Sequence, residues 1–70
     1  MDRLKITLKA ARINAGLSQT DAAITIGVSR DTISNWERGK SYPNADHILR
    51  IENAYGVEYD NLIFLPRDYA

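Results

Sequence analysis

Three residues, Gly27-Val28-Ser29, separate two stretches that each read as a short helix, and that brevity constrains the chain more than any other feature. Ser18 is a good N-cap, and Asp21 three residues later makes a near capping box, with Asp in place of the usual Glu or Gln. The helix it starts is expected over 19–26, with Ala22, Ala23 and Ile26 inward. Ser29 caps a second helix, expected from Arg30 to about Arg38, with Ile33 and Trp36 inward and Val28 packing on Ile33 as a hydrophobic staple. Gly27 ends the first helix where a left-handed residue is wanted. Two helices joined so tightly must meet at a steep angle.

The rest of the chain is punctuated in the same way. Gly16, Gly39 and Gly56 follow helix-like stretches, and Pro43 and Pro66 stand where no helix should run through. A first helix is expected from about Leu4 to Ala15, with Leu4, Leu8, Ala11 and Ala15 as its apolar stripe and Lys5, Lys9 and Arg12 beside it. Asn44 caps a fourth helix over 45–55, whose apolar side holds Ile48, Leu49, Ile51 and Tyr55. A short fifth helix is expected over about 59–64. No alternating strand pattern is evident, so the reading is an all-α chain of five short helices, one domain over residues 1–70.

Composition narrows the function. Seventy residues without a cysteine cannot build a disulfide framework or a thiolate zinc site. No apolar run is long enough to span a bilayer and no signal-peptide core is present, so a soluble cytoplasmic domain is expected. Net charge is zero, but residues 1–40 carry seven basic against four acidic side chains (+3), and residues 41–70 carry two against five (−3). That asymmetry suggests one basic and one acidic face. The zero sum predicts modest non-specific affinity for any polyanion.

Two helices joined by a turn of three or four residues containing glycine make a helix-turn-helix motif. If the second is a recognition helix, its N-terminal residues should point polar side chains outward, and Arg30, Asp31, Ser34 and Asn35 are polar. The stretch from Leu17 to Val57 resembles the lambda-repressor-like, Cro-type (XRE) helix-turn-helix regulators of bacteria and phages. The marks are Leu17-Ser18-Gln19, Ala23, Gly27-Val28-Ser29, Thr32-Ile33-Ser34, Trp36-Glu37-Arg38-Gly39-Lys40 and Pro43. Each is weak alone; at this spacing they are strong together. Two positions depart from the family pattern. Ala22 stands where a larger aliphatic is usual, and Ile24, where a polar residue is usual, is either exposed or fills the space Ala22 leaves.

The resemblance implies a sequence-specific, probe-like use of the third helix on double-stranded DNA, as a transcriptional repressor. Arg30, Asp31 and Asn35 match positions facing base edges. Gln19 matches a residue that touches phosphate and braces the recognition helix. Thr32, Ser34, Arg38 and Lys40 match backbone-contacting positions, with Ser29 beside them at the cap. Arg12 and Glu37 match a salt bridge between helix one and the end of helix three. The chemistry agrees: Arg grips guanine O6 and N7, and Asn pairs bidentately with adenine. Asp31 has three open readings: accepting from cytosine N4, holding Arg30, or serving only the helix dipole.

No nucleophile–base series, phosphate-cradling loop or metal-ligand spacing appears, so no enzyme, metal or cofactor is expected. The lone His47 follows Asp46 on one helix, where adjacent residues do not face each other, and reads as a surface or boundary residue. The tail places Leu62, Ile63, Phe64 and Leu65 in a row. Either Pro66 and Tyr69 fold back over them, or they form a homodimer contact that would let two copies read a palindromic operator. The alternative function is a helix-turn-helix used as a protein-interaction module, such as an antitoxin or antirepressor component.

Overall fold

Thr7, rather than Leu4, begins the first helix. In the computed structural model, which describes residues 5–65, the Thr7 side chain accepts a hydrogen bond from the Ala10 amide at 3.1 Å and caps α1 over Leu8–Asn14. Ile6–Thr7 ahead of it is a two-residue strand, β1. The helix is therefore shorter than its apolar spacing suggested. Leu8 and Ala11 are buried, Ala15 is an exposed C-cap, and Leu4 lies outside the described residues.

The next three helices run close to their expected bounds because their caps are chemically explicit. Ser18 and Asp21 form the reciprocal capping box on α2 (Gln19–Ile26): Ser18 Oγ accepts from the Asp21 amide at 3.0 Å and Asp21 Oδ2 from the Ser18 amide at 3.3 Å. Ser29 Oγ accepts from the Thr32 amide at 3.1 Å at the start of α3 (Arg30–Glu37), which ends one residue early, with Arg38 as its C-cap. Asn44 Oδ1 accepts from the His47 amide at 2.8 Å and opens α4 (Ala45–Tyr55).

The expected fifth helix is not formed. Tyr59–Asn61 makes a single 3₁₀ turn, and the chain then extends as β2, Leu62–Ile63. β2 pairs in parallel with β1, Ile6 opposite Leu62 and Thr7 opposite Ile63. Lys5 supports the junction by donating to the Asp60 carbonyl at 2.6 Å. Among the described residues the architecture is thus four helices with a small strand pair. A parallel pair needs a long crossover, here the whole bundle of α1 to α4.

All these elements meet in one core. Leu8 and Ala11 of α1, Ala22, Ala23 and Ile26 of α2, Ile33 and Trp36 of α3, Ile51 and Tyr55 of α4, and Leu62 of β2 are buried together. Val28 in the turn packs against this cluster. Exposure corrects one expectation and decides between two open ones. Leu49 is 60% exposed, so α4 buries Ile51 and Tyr55 but not every apolar residue on that side. Ile24 is 75% exposed while Ala22 is fully buried, so Ile24 does not fill space beside Ala22.

The turn between α2 and α3 is held from below. Gly27 has φ +88°, and its amide bonds the Ala23 carbonyl at 2.8 Å. Arg50 of α4 donates from Nη1 to the Ile26 carbonyl at 3.0 Å, satisfying an otherwise orphaned helix-end acceptor. A Cβ at Gly27 would sit 3.2 Å from that same nitrogen. The side chain can move, but the left-handed backbone cannot be relieved. Gly27→Ala is therefore expected to cost about 1–2 kcal/mol, read as a lowered midpoint in urea. Most of that cost should persist in an Arg50→Ala background; a Gly27→Ala penalty that disappears there would place its origin in the side-chain contact instead.

Candidate nucleic-acid interface

One carboxylate fixes α3 against the two helices before it. Glu37, in the last turn of α3, accepts from Arg12 of α1 twice, at 2.6 Å from Nε and 3.2 Å from Nη2. It also accepts from Gln19 Nε2 of α2 at 3.1 Å. The remaining Arg12 nitrogen, Nη1, donates to the Leu17 carbonyl at 2.8 Å in the loop between α1 and α2. The Arg12 and Glu37 side chains are only 8% and 5% exposed. The sequence-expected pair is thus present and bidentate, and Gln19 braces it.

The electrostatics follow from this packing. The hydrogen bond to Glu37 holds the Arg12 guanidinium above its ordinary value against the opposing effect of burial, and the charges of Glu37 and Tyr55 push the same way. Tyr55, buried beneath the pair, is pushed up to about 12, first by burial and then by the charge of Glu37, with Arg12 opposing.

With its inner side fixed by Ile33, Trp36 and Glu37, α3 turns its other side out. Arg30 and Asp31 are exposed in its first turn, and Ser34 and Asn35 are half-buried a turn further on. Asp31 sits where a negative charge complements the helix N-terminus. Ser29 and Thr32 are engaged with each other, their hydroxyl oxygens 2.9 Å apart. Arg38 donates from Nη2 to Asn35 Oδ1 at 3.4 Å, and the Lys40 amide donates to the Asn35 carbonyl at 2.9 Å. Arg38 and Lys40 are exposed. The structure thus gathers Arg30, Asp31, Ser34, Asn35, Arg38 and Lys40 on or directly after one helix, with Ser29 and Thr32 at its cap and Gln19 behind its far end.

Other sequence-selected residues go elsewhere. His47 is half-buried and lies against Trp36, ring centroids 5.2 Å apart, and so joins α4 to α3. Of the tail residues, Leu62 is buried in the chain's own core as part of β2, which removes it from any contact with a second copy. Ile63 is 41% exposed. Phe64 is half-buried between Tyr42 and Tyr59, at centroid distances of 6.4 and 5.8 Å. Leu65 is half-buried and its carbonyl accepts from the Tyr42 hydroxyl at 2.9 Å. Pro66 and Tyr69, the alternative to a second copy as cover for the tail, lie outside the described residues. Phe64 and Tyr59 line an open apolar groove of about 440 Å³ with Pro43, Ala45 and Ile48.

Arg50 was not singled out in the sequence. Its spacing from Asp46 was a readable signal, since i,i+4 charges pair on a helix, and they do so at 3.1 Å. Its bond to Ile26, which steadies the turn ahead of α3, had no local signature. Among the described residues no helix is long and apolar enough to cross a membrane, and no group of three or more His, Cys, Asp or Glu could hold a metal ion.

Comparison with known proteins agrees with this geometry. A helix-turn-helix family model matches residues 8–62, the bundle from α1 into β2. The chain belongs to the XRE-type helix-turn-helix family. That family is one of DNA-binding transcriptional regulators. The XRE-type chain is 38% identical over 56 residues to the HTH-type transcriptional regulator ImmR of Bacillus subtilis, covering 80% of this chain and 44% of that protein. It is also 38% identical over 56 residues to the HTH-type transcriptional activator BcrR of Enterococcus faecalis, covering 80% of this chain and 28% of that one. It thus spans less than half the length of either. A third relative, the uncharacterized HTH-type transcriptional regulator MJ0272 of Methanocaldococcus jannaschii, is 34% identical over 65 residues, covering 93% of this chain and 98% of that protein.

Two measurements probe the XRE-type scaffold. Glu37→Gln leaves the Arg12 charge buried without its partner, and should lower stability by about 3–5 kcal/mol in denaturant unfolding. Replacing both partners by apolar residues, Arg12→Met with Glu37→Leu, should recover most of that loss. Alkali tests Tyr55. Its raised folded value means that the unfolded chain ionises first, from the ordinary 10.0 upward. Its contribution is intact below about pH 10 and is lost as pH rises towards about 12, so Tyr55→Phe should flatten the stability profile in that window relative to wild type.

Proposed function

We propose that this chain is a sequence-specific double-stranded-DNA-binding transcriptional regulator that inserts the N-terminal part of α3 into the major groove. The observation that carries the reading is the fixed outward presentation of Arg30, Asp31 and Asn35 on a helix whose inner side is tied by Glu37 to Arg12 and Gln19. Arg30 supplies a planar fork for a guanine edge, and Asn35 an amide for a second base. Asp31 accepts from cytosine N4 or steadies Arg30. Gln19, Ser29, Thr32, Ser34, Arg38 and Lys40 contact the phosphate backbone around that helix, positioning it without reading sequence.

The regulatory direction in this reading is repression, which needs no more than occupancy of an operator. Two copies on a palindromic site would give the affinity that a domain of zero net charge lacks as a monomer. Exposed Ile63 and the apolar groove beside Phe64 support a homodimer contact there, with Leu62 removed from the expected set. The 70 residues are one domain in the cytoplasm of a bacterial or phage-infected cell, at the nucleoid.

A second reading rests on the tail region. The apolar groove lined by Pro43, Ala45, Ile48, Tyr59 and Phe64, with Tyr59 and Ile63 exposed, suits a helix-turn-helix that binds another protein, such as an antitoxin or antirepressor component. Selection of bound sites from random duplexes separates the two. The DNA reading predicts an enriched, two-fold symmetric sequence, with each of Arg30→Ala and Asn35→Ala weakening it by roughly 1–3 kcal/mol and relaxing preference at one base pair per half-site. Salt-sensitive binding with no enriched sequence, unchanged in both variants, would refute it.

A further inference from the structure

Resting on the DNA-binding reading, we propose that Arg38 is a positioning residue that sets which way the Asn35 amide faces and thereby directs Asn35 to an acceptor-only base edge, that of guanine, rather than to adenine. Asn35 and Arg38 stand three apart on the same face of α3 and its C-cap. A carboxamide has one acceptor end and one donor end, and a guanidinium has donors only. Arg38 Nη2 therefore takes Asn35 Oδ1, at 3.4 Å, and leaves the Asn35 amino group as the free end.

The backbone holds this arrangement. The Arg38 amide bonds the Ser34 carbonyl at 3.0 Å, and the Lys40 amide bonds that of Asn35 at 2.9 Å, so the turn carrying Arg38 is folded onto the residue it orients. Gly39, buried and at φ +75°, permits that turn. The consequence is a change in what Asn35 reads. Bidentate pairing with adenine needs the amide oxygen to accept from N6 while the amino group donates to N7. The oxygen keeps a second lone pair, so the effect is one of orientation: with Oδ1 drawn towards the Arg38 side chain, the amino group is the end left to face the groove, and guanine offers it two acceptors, O6 and N7. The other donors of the exposed Arg38 side chain stay available to a phosphate.

Selection from random duplexes with wild type, Asn35→Ala, Arg38→Met and Arg38→Lys tests this. Asn35→Ala identifies the base pair that Asn35 reads, as the one position losing preference. At that pair wild type should enrich guanine. Arg38→Met keeps the stem but no donor, and should shift the guanine-to-adenine ratio there by about tenfold towards adenine, with the other positions unchanged. Arg38→Lys, which still donates, should retain the guanine preference. Adenine at that pair in wild type, or weaker binding by Arg38→Met with an unchanged base preference, would overturn the proposal while leaving the DNA reading intact. Absence of any enriched sequence in wild type would overturn both.

Discussion

The carboxylate of Glu37 is the point on which the arrangement of the first three helices depends. It accepts from Arg12 of α1 through two nitrogens and from Gln19 of α2 through a third. Three donors on one buried acceptor define an orientation as well as a distance. A buried ion pair is not in itself a strong source of stability, because desolvation offsets most of the attraction. What it supplies here is registry. α3 has only eight residues, so isolated it would not hold its shape, and its direction must come from neighbours. Glu37 fixes its C-terminal end. Ile33 and Trp36 fix its middle, and Val28 and the Gly27 turn fix its start.

Other contacts serve the same turn from a different side. Arg50 reaches from α4 to the Ile26 carbonyl, and His47 lies against Trp36. α4 thus holds both the end of α2 and the back of α3. Burial of Tyr55 beneath the Arg12–Glu37 pair continues the core up to the charged layer, which limits access of water to it. The outward residues of α3 are therefore presented by a frame in which each neighbouring helix contributes a specific tie.

The parts of this that were legible in the sequence are those written in local chemistry. Ser18, Ser29 and Asn44 each donate no structure by themselves, yet their side-chain oxygens satisfy specific first-turn amides, so α2, α3 and α4 start where the sequence puts them. Arg12, Gln19 and Glu37 came from the family resemblance, and their meeting needs tertiary packing that periodicity cannot reveal. Two elements misled. The stripe from Leu4 to Ala15 has helical spacing, but the Thr7 side chain caps the helix one turn in, and Ile6 is drawn into pairing with Leu62. The run from Leu62 to Leu65 suits a helix by composition. It extends instead because Leu62 reaches the core as a strand residue, alternating with the exposed Ile63. A two-residue strand has no alternation to detect, and its partner is more than fifty positions away. Ile24 is a different case: either position was open, and only the burial of Ala22 against its neighbours decides it.

In the proposed reading α3 is the element that reads DNA, and the frame behind it accounts for how so short a helix can keep a fixed face. The asymmetry of charge along the sequence fits that role only in part. Arg30, Arg38 and Lys40 lie with α3, whereas Lys5 is spent at the Asp60 carbonyl on the strand pair. In the proposed reading, specific contacts rather than a broad basic field carry recognition, which places the weight on the orientation of a few side chains. The most direct measurement is a crystal structure of the domain on its selected duplex. The account predicts the first turn of α3 in the major groove, with Arg30 and Asn35 at base edges and Glu37 still bound by both Arg12 and Gln19. A duplex lying against another face, or a bound state in which Glu37 has parted from Arg12, would contradict it.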